Sequence, residues 1–345
     1  MAAAQKKAPE LDPAVLTRWL QGEGVEVAGE LEISLLGGGR SNLTYAVHDG
    51  VHRWVVRRPP QGQVLATAHD MVREFRAISA LHGTDVAVPE PIALCEDVEL
   101  IGVPFYVMGQ VEGTVYRSAP QLEEIGPART RQVALRMVDT LAELHKIDPA
   151  TVGLDDFGRP QGFNARQVKR WTKQLKGSWH RDLVGADELI DRLSKNPPET
   201  QSASIVHGDY RIDNLMFDDE DEVVALFDWE LATLADPLND VALFLVYQNV
   251  EKLGSESTGA LLGNATTAPG YPTEQELLER YVQSTGSDLH DLDFAVALAS
   301  FKLAVIIEGI HYRYVQGKAV GEGFAEAGEL VEPLIRAGLD RLKTR

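Results

Sequence analysis

The run His207-Gly208-Asp209-Tyr210-Arg211-Ile212-Asp213-Asn214, with Phe227-Asp228-Trp229 downstream, holds residue types that suit phosphoryl chemistry. Moving a phosphoryl group onto a hydroxyl asks little covalent help from protein. It needs an acceptor held in line, a carboxylate to take the hydroxyl proton, and a hard cation to offset phosphate charge. Asp209 has the type and place of the base. Asn214 and Asp228 offer an amide oxygen and a carboxylate, donors that Mg²⁺ accepts while keeping positions for phosphate and water.

The surrounding pattern predicts how these residues are held. Ser204 to Val206 reads as a short strand, Leu215 to Phe217 as a second, Asp218 to Asp221 as a polar turn, and Glu222 to Asp228 as a third, with Val223, Ala225 and Phe227 alternating. The last two form a predicted hairpin, with Asn214 entering one strand and Asp228 leaving the other, so both are expected toward the same end, ~10 Å apart in strand rise. Upstream, an alternating strand over Leu31 to Leu35 leads into Gly37-Gly38-Gly39-Arg40-Ser41-Asn42 and a strand over Leu43 to Val47. This is a glycine-rich hairpin. Glycine lets backbone amides approach phosphates closely, although an ordinary hairpin has the same composition. With the downstream motif, Gly38, Gly39, Arg40, Ser41 and Asn42 are candidate nucleotide contacts. No Gly-Lys-Ser/Thr ending marks a P-loop, and the spacing is not a dinucleotide fingerprint.

The pattern His-x-Asp-x-x-x-x-Asn followed by a hydrophobic-Asp-Trp strand resembles the aminoglycoside phosphotransferase and choline kinase branch of the protein-kinase-like fold. Val206 to Arg211 and Leu234-Ala235-Asp236-Pro237-Leu238 are most similar to the subgroup resembling the kinase-like region of acyl-CoA dehydrogenase family proteins. The resemblance covers roughly residues 30 to 315 and implies an α+β, two-lobed architecture with a small β-rich N-lobe and a larger helical C-lobe. It implies ATP, or another nucleoside triphosphate, with Mg²⁺. It further implies that a strand cation contacts the nucleotide phosphates and a helix carboxylate holds that cation.

The strand from Trp54, ended by Pro59 and Pro60, places Val55 and Arg57 on one face. By resemblance Arg57 is the cation and Glu74 its partner, with both Arg57 and Arg58 as solvated strand-end charges the alternative. Phe105 to Met108 followed by Gly109-Gln110-Val111-Glu112-Gly113 takes the place of the lobe connector. The resemblance sets Met108 behind the adenine, with the Gly109 carbonyl and Val111 amide as its hydrogen-bonding groups. It also makes Arg211 a cation for the transferring phosphoryl group, His207 a brace for its loop and Asp240 a structural carboxylate. Expected boundaries are an N-terminal nucleotide-binding lobe over 1–108, a hinge over 109–113 and a catalytic and acceptor-binding lobe over 114–345.

Elsewhere the pattern sets expectations of element and bulk. Met1 to Leu11 reads as a frayed tail, and Asp12-Pro13 as the start of a helix that stops at Gly22. Ala128 to Lys146 has an apolar helical face, with His145 packed or capping; another helix starts at Asp236-Pro237. Residues 251–273 lack periodicity and read as a long loop, functional or disordered, with closure over the acceptor as a lid the favoured role. The helix from Asp291 to Gln316 ends in Glu308, His311, Tyr312 and Arg313, a polar cluster open to a pocket or a surface reading. With 345 residues, 44% of them hydrophobic, the chain can bury a sizeable core. The net charge of −19 lacks the basic patch that nucleic acid requires, and no uninterrupted apolar run reaches the ~18 residues of a membrane span. A cytoplasmic protein with neither a nucleic-acid nor a membrane partner is expected, and the oligomeric state is unreadable. The one cysteine, Cys95, excludes an intrachain disulfide.

These readings converge on an enzyme, a phosphotransferase with an alcohol group as acceptor. Its partner is a small metabolite, with a hydroxyacyl thioester favoured and an aminoglycoside the alternative. A catalytically silent nucleotide-binding module is the reading from another class.

Overall fold

Alternating strands and three helices build the first part of the chain in the computed structural model, which describes residues 11–36, 42–60, 70–200, 202–253, 263–318 and 323–343. Helix α1 (Pro13–Gly22) begins where Asp12 accepts hydrogen bonds from the amides of Ala14, 2.8 Å, and Val15, 3.3 Å. Strands β1 (Glu32–Leu35), β2 (Leu43–His48), β3 (Arg53–Arg58), β4 (Pro91–Cys95) and β5 (Phe105–Gly109) form one antiparallel sheet in the order β1-β2-β3-β5-β4. Helices α2 (Met71–Leu81) and α3 (Val98–Ile101) complete this region.

Register decides which side chains share a face. Val56 stands opposite Val107, and these with Trp54 and Phe105 join Leu16 and Leu20 of α1 in a core where Trp19 meets Phe105 edge-on at 4.7 Å. Each fully buried leucine there contributes about 1.5–3 kcal/mol. Leu11 is buried in the same core, so the chain is already packed at the last residue of the expected tail; the rest of that tail lies outside the described residues. On the other face Val55 stands opposite Met108 and Arg57 opposite Tyr106, the side on which α2 brings Phe75 to 5.8 Å from Tyr106. Cys95 is buried and free, its thiol pushed up chiefly by burial.

The chain forms two compact units. The first comprises Met1–Glu112 together with Ala225–Glu230, and the second Gly113–Val224 with Leu231–Arg345. The returning segment 225–230 is the feature that linear reading of the N-terminal part omits.

The second unit is mainly helical. Its first helix, α4 (Ala119–Lys146), starts earlier than the apolar stripe from Ala128 suggests and kinks at Gly126, φ 81°, just before Pro127. Ser118 and Gln121 form its capping box. Then come α5 (Phe163–Ser178), α6 (Ala186–Lys195), β6 (Ser204–Val206), β7 (Leu215–Phe217) and β8 (Val223–Leu226), the last crossing into the first unit. Next are β9 (Thr233–Ala235), α7 (Leu238–Leu253), α8 (Glu274–Thr285), α9 (Leu292–Val315) and α10 (Val331–Arg341). Strands β6 and β9 pair antiparallel through Ile205 and Leu234, and β7 pairs with β8.

Helix α9 is long and apolar enough to span a membrane by length and composition, with a mean hydropathy of 1.7 over its best window. That window is 72% buried inside the fold, where α9 packs on α5, α7 and α10, as a core helix does. The expected 251–273 loop is shorter than drawn. Its start continues α7, residues 254–262 lie outside the described residues, and 263–273 packs down with Ala265 and Ala268 buried. There Asn264 Oδ1 accepts the Ala119 amide at 2.8 Å, and Gly270, φ +92°, fits because a Cβ would meet the Pro127 carbonyl oxygen at 2.1 Å.

Candidate active site

Two groups of polar residues stand out, one in each unit. In the first unit, Glu74 of α2 is fully buried and gathers three donors. Arg57 Nε lies 2.8 Å from its Oε2, Tyr106 Oη 3.0 Å from the same atom, and Asn42 Nδ2 3.2 Å from Oε1. The β3–β5 register sets this up by aligning Arg57 with Tyr106. Burial alone would lower the Arg57 pKa, but Glu74, Tyr106 and Asp228 more than reverse it and hold the guanidinium firmly charged. Burial in turn pushes the Glu74 carboxyl up; Arg57 opposes this and Asp228 adds to it.

Arg57 also bonds Asp228 through Nη2. Asp228 takes φ +67°, a left-handed backbone uncommon outside glycine, as strained functional positions often do. Ligand oxygens of Glu74, Asp228 and Glu230 lie within 4.8 Å of one another. Hard oxygen donors of this kind suit Mg²⁺, although Glu74 is already committed to Arg57. Val55 and Met108 are buried cross-strand neighbours. Gly109 belongs to β5, with its amide on Glu90 O at 2.8 Å, and the Val111 amide makes no hydrogen bond among the described residues.

Gly38, Gly39, Arg40 and Ser41 lie outside the described residues; Asn42, buried, is the described end of that turn. Arg58 corrects one expectation. It is not a solvated strand-end charge but 1% exposed, with Nε and Nη2 lacking a partner among the described residues and its pKa lowered chiefly by burial.

In the second unit, the loop after β6 is fixed from below. Asp240 of α7, fully buried, accepts the amides of His207 at 2.6 Å and Gly208 at 2.8 Å, and His145 Nε2 lies 3.4 Å away. Burial alone would raise the Asp240 pKa, but His145, His207 and the Gly208 amide bring it below the ordinary value. Gly208 sits at φ +82°, where a Cβ would meet the Leu231 carbonyl oxygen at 2.6 Å, so the residue before Asp209 must be glycine. His207 Nδ1 accepts the Asp209 amide at 3.2 Å, and Asn214 Nδ2 donates to the Asp209 carbonyl at 2.9 Å, leaving Asn214 Oδ1 as that side chain's oxygen ligand.

Asp209 Oδ1 accepts a hydrogen bond from Tyr247 Oη at 2.8 Å. No described residue bonds Oδ2. Arg211 bonds Asp213 and lays its guanidinium over the Tyr247 ring at 4.7 Å. Lys302 of α9 donates to the Gly208 carbonyl at 2.8 Å. Tyr247 and Lys302 escaped sequence reading; the available signal was a lone lysine inside the apolar run of α9. The polar cluster at the end of α9 does not open as a pocket through Glu308. Fully buried, Glu308 takes Arg181 through bonds of 2.6 to 3.2 Å, with His180 Nδ1 3.3 Å away.

A family model described as "Phosphotransferase enzyme family" matches residues 32–280, which contain the first-unit group and, in the second, the loop after β6 with Asp240 and Tyr247, but not Lys302. The chain belongs to that family. This phosphotransferase is 36% identical over 336 residues to acyl-CoA dehydrogenase family member 11 of Gallus gallus, covering 95% of this chain and 42% of that protein. It thus spans about two fifths of the length of the curated relatives it matches. A crystal structure from Ralstonia eutropha JMP134, described as a candidate aminoglycoside phosphotransferase, is 34% identical with a TM-score of 0.84, covering 96% of this chain and 98% of that one. A ternary complex of aminoglycoside phosphotransferase APH(4)-Ia with AMP-PNP and hygromycin B shares the fold at a TM-score of 0.60 and 13% identity, covering 90% and 95%. The α+β, kinase-like fold is therefore established, and with it membership of a phosphotransferase enzyme family.

Proposed function

We propose that this phosphotransferase moves the γ-phosphoryl group of ATP, with Mg²⁺, to a hydroxyl of a small metabolite of the hydroxyacyl thioester class. The observation that carries the chemistry is Asp209. It stands on a loop pinned by Asp240, with Oδ1 occupied by Tyr247 and Oδ2 left for an incoming hydroxyl. In the reaction the acceptor oxygen bonds to the γ-phosphorus, the bond from that phosphorus to the bridging oxygen of ADP breaks, and the acceptor proton goes to Asp209 Oδ2. Arg57, oriented by Glu74, would contact phosphate, and Arg211 would steady charge on the transferring group. Asn214 and Asp228 would supply amide and carboxylate oxygens for Mg²⁺, which when bound would offset phosphate charge. Gly109 and Val111 would offer main-chain groups to the base. A lid over the acceptor would draw on the 251–273 region.

The acceptor class is supported by the similarity to acyl-CoA dehydrogenase family member 11 along nearly the whole chain. The test follows ATP consumption against hydroxyacyl-coenzyme A thioesters, amino alcohols and aminoglycosides in parallel, with and without Mg²⁺. Turnover led by kanamycin-type compounds, or turnover independent of Mg²⁺, would overturn the proposal.

A further inference from the structure

Lys302 is an ammonium placed where a neutral donor would serve the fold. It lies between Phe301 and Leu303, both buried, in the most apolar helix of the chain, and reaches the Gly208 carbonyl beside the catalytic aspartate. An ammonium has three N–H donors, and the described structure uses one. Among the described residues no carboxylate oxygen comes within 4.0 Å of it. Burial lowers its pKa most strongly; Asp209 and then Asp240 act to keep it charged, and Arg170 opposes. Lys302 itself is part-buried, and drawing its charge partly out of water without a close counter-ion carries a cost that pinning one carbonyl does not require.

A second cation shares its surroundings. The Lys302 ammonium lies 5.9 Å from the centroid of the Trp171 ring, and the Arg170 guanidinium 5.1 Å from the same centroid. Trp171 is itself buried, so its indole is a fixed platform, and its π-electrons partly offset the repulsion between the two cations. Arg211 also acts on Asp209 but is paired with Asp213, so the positive charge without an ion-pair partner among the described residues is that of Lys302 and Arg170. In a chain of net charge −19, the base is thus bordered by cations. That local field attracts an anion and repels a polycation.

We propose that Lys302, assisted by Arg170 across Trp171, is the specificity-determining part of the acceptor site and binds an anionic oxygen of the acceptor, a carboxylate or a phosphate. The inference deepens the proposed function and rests on Asp209 as the base that the acceptor hydroxyl meets. It assigns the acceptor an anionic group, which in a hydroxyacyl-coenzyme A thioester is supplied by the coenzyme phosphates and not by the neutral thioester, and it disfavours aminoglycosides on electrostatic grounds.

The test uses the full chain as wild type, Lys302→Met, Lys302→Arg and Arg170→Ala. Three probes separate the chemistries: 3-hydroxybutyrate for a carboxylate, its coenzyme A thioester for phosphates, and kanamycin for a polycation. Calorimetric affinities are measured for all three, and acceptor KM and kcat wherever turnover occurs. Wild type is expected to bind one anionic probe at least ~10-fold more tightly than kanamycin. Lys302→Met should weaken that probe by ~10- to 100-fold, mostly in KM, and Lys302→Arg should restore part of it. Arg170→Ala, an exposed change that spares folding, should weaken it ~3-fold or more. Wild type that favours kanamycin, or binds no anionic probe, overturns the proposal. So does Arg170→Ala or a folded Lys302→Met with unchanged anion affinity. Near-normal turnover by Asp209→Asn with anion affinity still dependent on Lys302 would instead refute the base assignment alone.

Discussion

Replacing Glu74 by alanine tests the first-unit cluster most directly. Three donors converge on this fully buried carboxylate: Arg57 at 2.8 Å, Tyr106 at 3.0 Å and Asn42 at 3.2 Å. Removing one partner of a buried ion pair costs about 3–5 kcal/mol, and a buried donor left unsatisfied about 1–3 kcal/mol. These losses overlap, because Arg57 keeps Asp228 as a second carboxylate. A total of about 3–5 kcal/mol follows. Glutamine retains an acceptor oxygen and should lose about half as much. Urea unfolding provides the assay: the midpoint should fall at nearly constant m. Under the proposed role of Arg57, ATP binding should also weaken, since Arg57 would be drawn wholly onto Asp228. A double-mutant cycle with Arg57→Ala should show coupling of about 1–3 kcal/mol. A loss below about 1 kcal/mol with additive single effects would show that Glu74 does not organise Arg57.

Asp209→Asn should lower kcat by about 10²- to 10⁴-fold while ATP affinity, measured calorimetrically, persists; near-normal turnover would remove Asp209 from the reaction. Arg57→Ala should weaken ATP binding about 10-fold or more. Arg58→Met, which removes a buried cation with two nitrogens unpartnered among the described residues, should hold or raise the melting temperature and spare ATP binding. Equal losses of ATP affinity in the two variants would contradict the assignment of faces. Asp240→Asn should destabilise the chain and slow turnover by freeing the His207 and Gly208 amides. Because the Asp240 carboxyl is held below its ordinary 3.8, its ionised form contributes in full above that value and loses its contribution as the pH falls through the lower folded-state value. The stability gap between wild type and Asp240→Asn should therefore be flat from about pH 8 to 5 and close only in stronger acid. A gap that closes near neutrality would refute that sign.

Local sequence fixed much of the secondary structure because its causes are local. Asp12-Pro13 set the start of α1 through a cap and a pre-formed φ, and alternation marked β2, β3 and β5. The residues of the loop after β6 could be singled out by type and spacing, because a carboxylate and an amide are what the proposed chemistry asks for. What remained hidden was set by register and by contacts distant in the chain. Arg57 and Arg58 look alike in sequence, and only the pairing of Arg57 with Tyr106 and the packing of α2 decide that one meets Glu74 while the other is buried with Nε and Nη2 unpartnered among the described residues. Glu308 read as a helix-end polar residue until Arg181, from the link between α5 and α6, was found to neutralise it. Tyr247 and Lys302 lie on apolar helices whose periodicity indicates burial but not what each polar tip reaches. Their approach to Asp209 and Gly208 depends on where α7 and α9 pack beside the loop, which no local propensity specifies.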